Sequence, residues 1–296
     1  MEKERKIFCC EDTADGIFTA VYDAWASGFG LSRVTVQAGG TYSRSLFASC
    51  VESRTDHEKA KKVARTLRER LGTEDYQMIY HAALSEAEDK GEIIFAAVVM
   101  GLAVWKRKHM TRNLGDPRIM RLFELARRVE NEGHHYRMFI RFHELEGRAG
   151  ETPVMFSEIE PENQVLSLLG DHFSDRFPRT DFMICDRSHR QCLVHRAGAD
   201  WILMTDVWPD EERISRYSRE EKKYAGLWKN FVDSIAIRER ENPRCQMNFM
   251  PKRYWKHMTE HQPVSWKPGE NTDINLTKSE KVTGTKREPG GNGSVF

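Results

Sequence analysis

Eight residues late in the chain, Phe249-Met250-Pro251-Lys252-Arg253-Tyr254-Trp255-Lys256, set three cations among three aromatics. Cations can hold phosphates and aromatic faces can stack on bases, so the mixture suits nucleic acid. It equally suits aromatics packing back onto a core, with Lys and Arg stems lying over them. A second group is Glu144, Glu158 and Glu160. If their two segments form a hairpin, strand alternation puts Glu158 and Glu160 on one face, with Arg141 close by on the neighbouring strand. Carboxylates beside an arginine could serve a hydrolytic metal site or acid–base chemistry, and could equally form a cross-strand salt bridge. A third group is Glu132 with His134 and His135. Adjacent helical residues diverge by about 100°, and H-E-x-x-H is absent, so this group reads as structural and no metal is expected.

Trp105 to Arg148 holds eleven Lys and Arg against six Asp and Glu. Lys106-Arg107-Lys108 is its densest point, and Arg121, Arg128 and His135 recur every seven residues on one helix face. This is either a phosphate-contacting surface or a solvated face with i,i+4 pairs. The whole chain carries only +1, so any basic surface must be local. Nucleophile-elbow, Walker A and G-x-G-x-x-G motifs are absent. The six cysteines show no C-x-x-C or radical-SAM triplet spacing and read as reduced thiols. No cofactor is expected.

Periodicity supplies the elements that must carry these groups. Lys6–Cys10 reads as a strand, Thr13 or Asp15 as a helix cap, and Val34–Val36 as a second strand, with a loop from Ala38 to Ser45. Helices start at Thr55 or Asp56, at Thr73-Glu74 and around Ile93, and Asp116-Pro117 opens a fourth. Phe139–Leu145 and Val154–Ile159 read as a hairpin, Gln164–Phe177 as a helix, and Phe182–Cys185, Gln191–His195 and Trp201–Met204 as short strands. A closing helix runs from about Ser218 to Glu241, where Asn242-Pro243 stops it. The fold class is α+β, with a helical N-terminal half, a small antiparallel sheet with a packed helix, and a closing helix; helices do not alternate with strands as a parallel sheet needs. Residues 1–261 are expected to form one domain, divisible into 1–115 (mainly helical) and 116–261. Residues 262–296 read as a disordered tail. The charged N-terminus leads into only four apolar residues, and the uncharged run Ile93–Trp105 is 13 residues long. No membrane segment is expected, and the location expected is cytoplasmic.

Several collinear motifs carry a resemblance. They are Thr55-Asp56-x-x-Lys59-Ala60-x-x-Val63, Asp116-Pro117-Arg118, Leu125-Ala126-Arg127-x-Val129 and Glu132-x-His134. Phe139-Ile140-Arg141-Phe142-x-Glu144-Leu145, Ile159-Glu160-Pro161-x-x-x-Val165-Leu166 and His172-Phe173-x-x-Arg176-Phe177 follow. The last block runs from Leu227-Trp228-x-x-Phe231 through Asn242-Pro243 to Met250-Pro251-x-Arg253-Tyr254-Trp255-Lys256. With these the chain resembles a bacterial family of DNA-metabolism or DNA-repair proteins built on a domain of unknown function, DUF4130. The resemblance implies an accessory protein encoded beside a radical-SAM DNA repair or modification protein. A similar domain is fused elsewhere to uracil-DNA glycosylase-like domains, but no glycosylase motif is present here, and the family supplies no catalytic residues to map.

Three functions follow. The first is DNA binding, or docking of a radical-SAM partner, through Lys106, Arg107, Lys108, Arg121, Arg128, Arg253, Tyr254, Trp255 and Lys256. Within the aromatic segment, Phe249, Met250 and Trp255 are expected to pack while Arg253 and Lys256 stay available. The second is an enzyme acting on a nucleobase or phosphodiester through Glu144, Glu160, His134 and Arg141. The third is a pure protein–protein adaptor.

Overall fold

The first strand, β1 (Arg5–Cys10), leads into α1 (Ala14–Ala26), whose N-cap Thr13 accepts a hydrogen bond from Gly16 N at 2.9 Å. α1 returns the chain to β2 (Val34–Ala38), which pairs with β1 in parallel, and β3 (Ala48–Glu52) pairs in parallel on the other side of β1. The order β2-β1-β3 is therefore a parallel sheet with a helical crossover, contrary to the expectation of no parallel pairing. β3 falls in a stretch with little apolar alternation and was not anticipated; it is a largely exposed edge strand, so the hydrophobic pattern that marks buried strands is missing. The computed structural model describes residues 5–39, 48–105, 110, 113–146 and 152–261.

Next come α2 (His57–Arg70), capped by Asp56, α3 (Thr73–Ala83) and α4 (Lys90–Val99), which runs on as a π-helical turn, Met100–Trp105. α4 rides directly on β2: a Cβ on Gly91 would sit 2.7 Å from Val36 O, so only glycine allows this approach. α5 (Pro117–Phe139) is capped by Asp116 with proline at the first position, as expected. It crosses two cores. Ile119, Leu122, Leu125 and Ala126 join the first, around the parallel sheet, while Val129 and Tyr136 join the second.

The second core lies under a five-stranded sheet of order β4-β5-β6-β7-β8. β4 is only His143–Glu144, because α5 runs through Phe139. Phe142 turns inward instead, against Phe173, Phe177 and Phe182. β5 (Met155–Ile159) pairs antiparallel with β4 but parallel with β6 (Phe182–Asp186), through α6 (Leu166–Arg176). β7 (Gln191–His195) and β8 (Ile202–Thr205) complete the sheet as antiparallel strands. The sheet is thus mixed rather than antiparallel.

A short α7 (Glu211–Ile214) precedes α8 (Arg219–Ile235), capped by Ser218. α8 stops at Ile235, short of Glu241. Asn242-Pro243 starts a helix instead of ending one: Asn242 Oδ1 accepts from Cys245 N and caps α9 (Pro243–Phe249). Two 3₁₀ segments, Lys252–His257 and Thr259–His261, close the described chain. Residues Met1–Gln262 make one compact unit, and the expected tail lies outside the described residues.

Four cysteines are paired rather than reduced. Cys185 and Cys192 are direct partners across the β6–β7 hairpin, and Cys9 is bonded to Cys50 across β1 and β3. Cys10 and Cys245 are free. Burial, with Asp12 adding to it, pushes the Cys10 thiol up to about 12, so it stays protonated at neutral pH. Among the described residues no helix is long and apolar enough to cross a membrane.

Candidate functional site

In sheets with parallel strands, ligands tend to meet the carboxyl ends of those strands. Here the carboxyl ends of β5 and β6 gather a cluster of ion pairs that sequence could not place. β5 presents Glu158 and, just past its end, Glu160. Because Ile159 is in register with Asp186, the turn after β6 brings Arg187 alongside. Arg187 Nε donates to Glu158 Oε1 at 2.6 Å and lies 3.9 Å from Glu160. The Lys252–His257 turn closes over the same edge. Lys256 Nζ bonds Glu160 Oε1, and His257 Nε2 stands 3.7 Å from that oxygen. Burial alone would raise the Glu160 pKa, but Lys256, His257 and Arg187 outweigh it and hold it below the usual carboxylate value.

A buried carboxylate fixes the loop beyond β5. Glu132, on α5, accepts from Glu162 N and Asn163 N, both at 2.9 Å, and from Asn163 Nδ2 at 2.6 Å. Arg253 reaches Glu162 at 2.5 Å and lies 3.8 Å from Glu132. Deeper in, Asp186 Oδ2 is 2.6 Å from His189 Nδ1, and Glu86 is 3.6 Å from its Nε2. Burial works to lower the His189 pKa, yet Asp186 and Glu86 prevail and raise it. A raised histidine stabilises fully below its unfolded value of 6.5, and the contribution fades as pH climbs through the folded value. The difference in melting temperature between wild type and His189→Asn is therefore expected to be largest in mild acid and to shrink toward alkaline pH. A difference that is flat across that range would remove His189 as the cause.

A different surface lies on α8. Tyr224, Leu227, Trp228, Phe231 and Ile235 recur at helical spacing and are all exposed, Phe231 at 51% and Ile235 at 58%. The helix is tethered at Glu221 and, from within the stripe itself, at Trp228. Glu221 contacts His143 Nδ1 at 3.0 Å, and Trp228 Nε1 donates to Glu260, which also holds Arg141 at 2.7 Å.

The sequence profile of a domain of unknown function, DUF4130, matches residues 88–260. The chain belongs to the DUF4130 family. The DUF4130 region starts just ahead of α4 and ends at Glu260, so it contains the β5–β6 edge, the Lys252–His257 turn and α8, and it leaves out the parallel sheet. No curated protein matches the chain. Among solved structures, one described as a DHH-domain member of the s1p family of ribosomal proteins is similar at 9% identity and TM-score 0.31, over 66% of this chain and 74% of that one. That likeness is too slight to inform fold or function.

Within the DUF4130 region the expected site residues separate. Glu144 is opposite Met155, so roughly 16 Å of strand lie between it and Glu160 at about 3.3 Å per residue. His134 is exposed on α5, and Arg141 is committed to Glu260 rather than to Glu158 or Glu160. The proposed catalytic set is not one site. Arg121 makes a two-pronged pair with Asp89, at 2.7 and 3.0 Å, and Arg128 is exposed on the same helix. Tyr254 is 3% exposed, set edge-on against Tyr136 and hydrogen-bonded to His135 and Arg253, so it cannot stack on a base. Trp255 packs on His261 and donates to Met250 O, while Phe249, expected to pack, is 76% exposed. Lys106, Arg107 and Lys108 lie outside the described residues. Sequence reasoning missed Arg187 and His257; the only available signal was their position, one residue past a strand and one past the Tyr-Trp-Lys run.

Proposed function

We propose that this chain is an accessory protein of DNA metabolism that acts by docking a second protein, with α8 as the docking helix. The observation that carries the reading is the largely exposed apolar stripe from Tyr224 to Ile235, about 16 Å long at 1.5 Å per residue and tied down among the described residues at Trp228. A contiguous apolar stripe rimmed by charge usually marks a protein contact. The resemblance to DNA-metabolism proteins supplies the partner, a radical-SAM DNA repair or modification protein. Direct DNA binding is less favoured by the geometry. Arg121, Arg253 and Lys256 are each held by a carboxylate, so a phosphate contact at any of these three would have to displace one. The α8 stripe needs no such exchange.

The test is co-expression with the radical-SAM partner and capture after nuclease treatment. Wild type is expected to retain the partner. Leu227→Glu/Phe231→Glu should weaken capture about 100-fold, as two central apolar anchors at about 1.4 kcal/mol each would. Both side chains are exposed, so far-UV circular dichroism should not change. Capture that nuclease abolishes would mean DNA bridging. A homodimer that the double variant dissolves would mean that a second copy covers the stripe. Either outcome, or equal capture by the variant, overturns the reading.

A further inference from the structure

We propose that Glu158, Glu160 and His257 form a binding site for one divalent first-row transition-metal ion. Each offers one donor atom, and the three atoms lie within 4.8 Å of one another. Donors sharing an ion through bonds of about 2.0–2.2 Å are at most about 4.4 Å apart. Small side-chain rotations would therefore close the set. The backbone fixes it well: Glu158 and Glu160 are two apart at the end of β5 and so share a face, and His257 ends the 3₁₀ turn above them.

A second observation points the same way. His257 Nε2 is buried and has no hydrogen-bond partner among the described residues. Leaving such a nitrogen unsatisfied costs about 1–3 kcal/mol. It faces Glu160 Oε1 at 3.7 Å, too far for a hydrogen bond. An ion between the two would satisfy both atoms. Two carboxylates with one imidazole and no thiolate suit Mn²⁺, Fe²⁺ or Zn²⁺, and the nitrogen donor argues against Ca²⁺ and Mg²⁺.

The site carries its own competitor. Lys256 Nζ occupies the same Glu160 Oε1 that faces His257, and Arg187 holds Oε1 of Glu158. An incoming ion displaces Lys256 from Glu160, so Lys256 sets the affinity from outside the ligand set.

Titration of the full chain with MnCl₂ by calorimetry tests this, since Mn²⁺ has little preference for the free thiols. One ion per chain is expected. Glu160→Gln and His257→Gln should each weaken binding at least about 100-fold, the upper end of what even outer-shell losses cost. Lys256→Ala should tighten it about tenfold, through loss of a competing cation. Should a Gln variant not fold, Lys256→Ala decides: tighter binding supports the site, and unchanged affinity overturns it. Absence of saturable binding in wild type, or binding that both Gln variants leave intact, also overturns it.

Discussion

Glu132→Ala is expected to lower the unfolding free energy by about 3–5 kcal/mol, and the melting temperature by on the order of 10 °C. Glu132 is only 2% exposed, in the middle of α5. Its carboxylate collects two backbone N–H groups and one side-chain amide from residues 162 and 163. Asn163 Oδ1 in turn accepts from Glu86 N at 3.1 Å, so one side chain ties α5, the loop after β5 and the connection between α3 and α4. Alanine leaves those donors unsatisfied, at about 1–3 kcal/mol for each one that stays buried. It also leaves Arg253 with Glu162 as its remaining carboxylate partner among the described residues. Glu132→Gln keeps the shape and one acceptor oxygen and should cost less, about 1–3 kcal/mol. Urea unfolding of both variants checks the ranking. An alanine variant within about 1 kcal/mol of wild type would mean that water replaces the carboxylate, and the loop would need another explanation.

The same side chain shows what sequence could and could not disclose. Thr13, Asp56, Asp116 and Ser218 were legible as caps because capping is local chemistry: one oxygen and a donor two or three residues on. The apolar stripe of α5 was legible for the same reason. Pairing between strands was not. The alternation that put Glu158 and Glu160 on one face was sound, and Arg141 lines the same small cavity as Glu158, yet the arginine that pairs with the two carboxylates is Arg187. β5 has two neighbours, and the expected hairpin with β4 pointed to Arg141. The parallel partner β6, reached only through α6, delivers Arg187. A parallel crossover leaves no turn signature between its strands, so nothing local announces it. Ambiguous signals account for the rest. Phe139, Ile140 and Phe142 satisfy a strand pattern and a helix end alike, and Asn-Pro serves as either a stop or a start.

The aromatic segment from Phe249 to Lys256 divides along physical lines that composition could not show. Tyr254 and Trp255 are drawn inward by rings on α5 and by His261, while Arg253 and Lys256 close ion pairs over the β5 edge. The turn is a clasp in which Arg253 and Lys256 are already paired with carboxylates, while Lys252 stands over the Trp255 ring. The strongest unsatisfied feature of the region is instead apolar, on α8, where helical periodicity was readable but its exposure was not.

Asp12→Ala should be nearly as damaging as the loss of Glu132, at about 3–5 kcal/mol, for an electrostatic reason. Lys90 is 1% exposed at the start of α4, and its ammonium bonds Ser85 O and Asp12 Oδ1. Asp12 follows the central strand of the parallel sheet and keeps about a third of its side chain in water. The two partners are therefore unequal. Removing Asp12 strands a charge that cannot reach solvent. Removing the charge by Lys90→Met leaves a carboxylate that is about a third exposed and can turn its buried Oδ1 toward water, and fills the space with a chain of similar length, so its cost should stay within about 1–2 kcal/mol, mainly the lost bond to Ser85 O. The double variant Asp12→Ala/Lys90→Met should then recover most of what Asp12→Ala loses, giving a coupling of about 2–3 kcal/mol in a double-mutant cycle followed by urea unfolding. Additive losses would show that Asp12 acts through the loop after β1, where its backbone oxygen accepts from Gln164 Nε2 at 2.8 Å, and not through the buried ammonium.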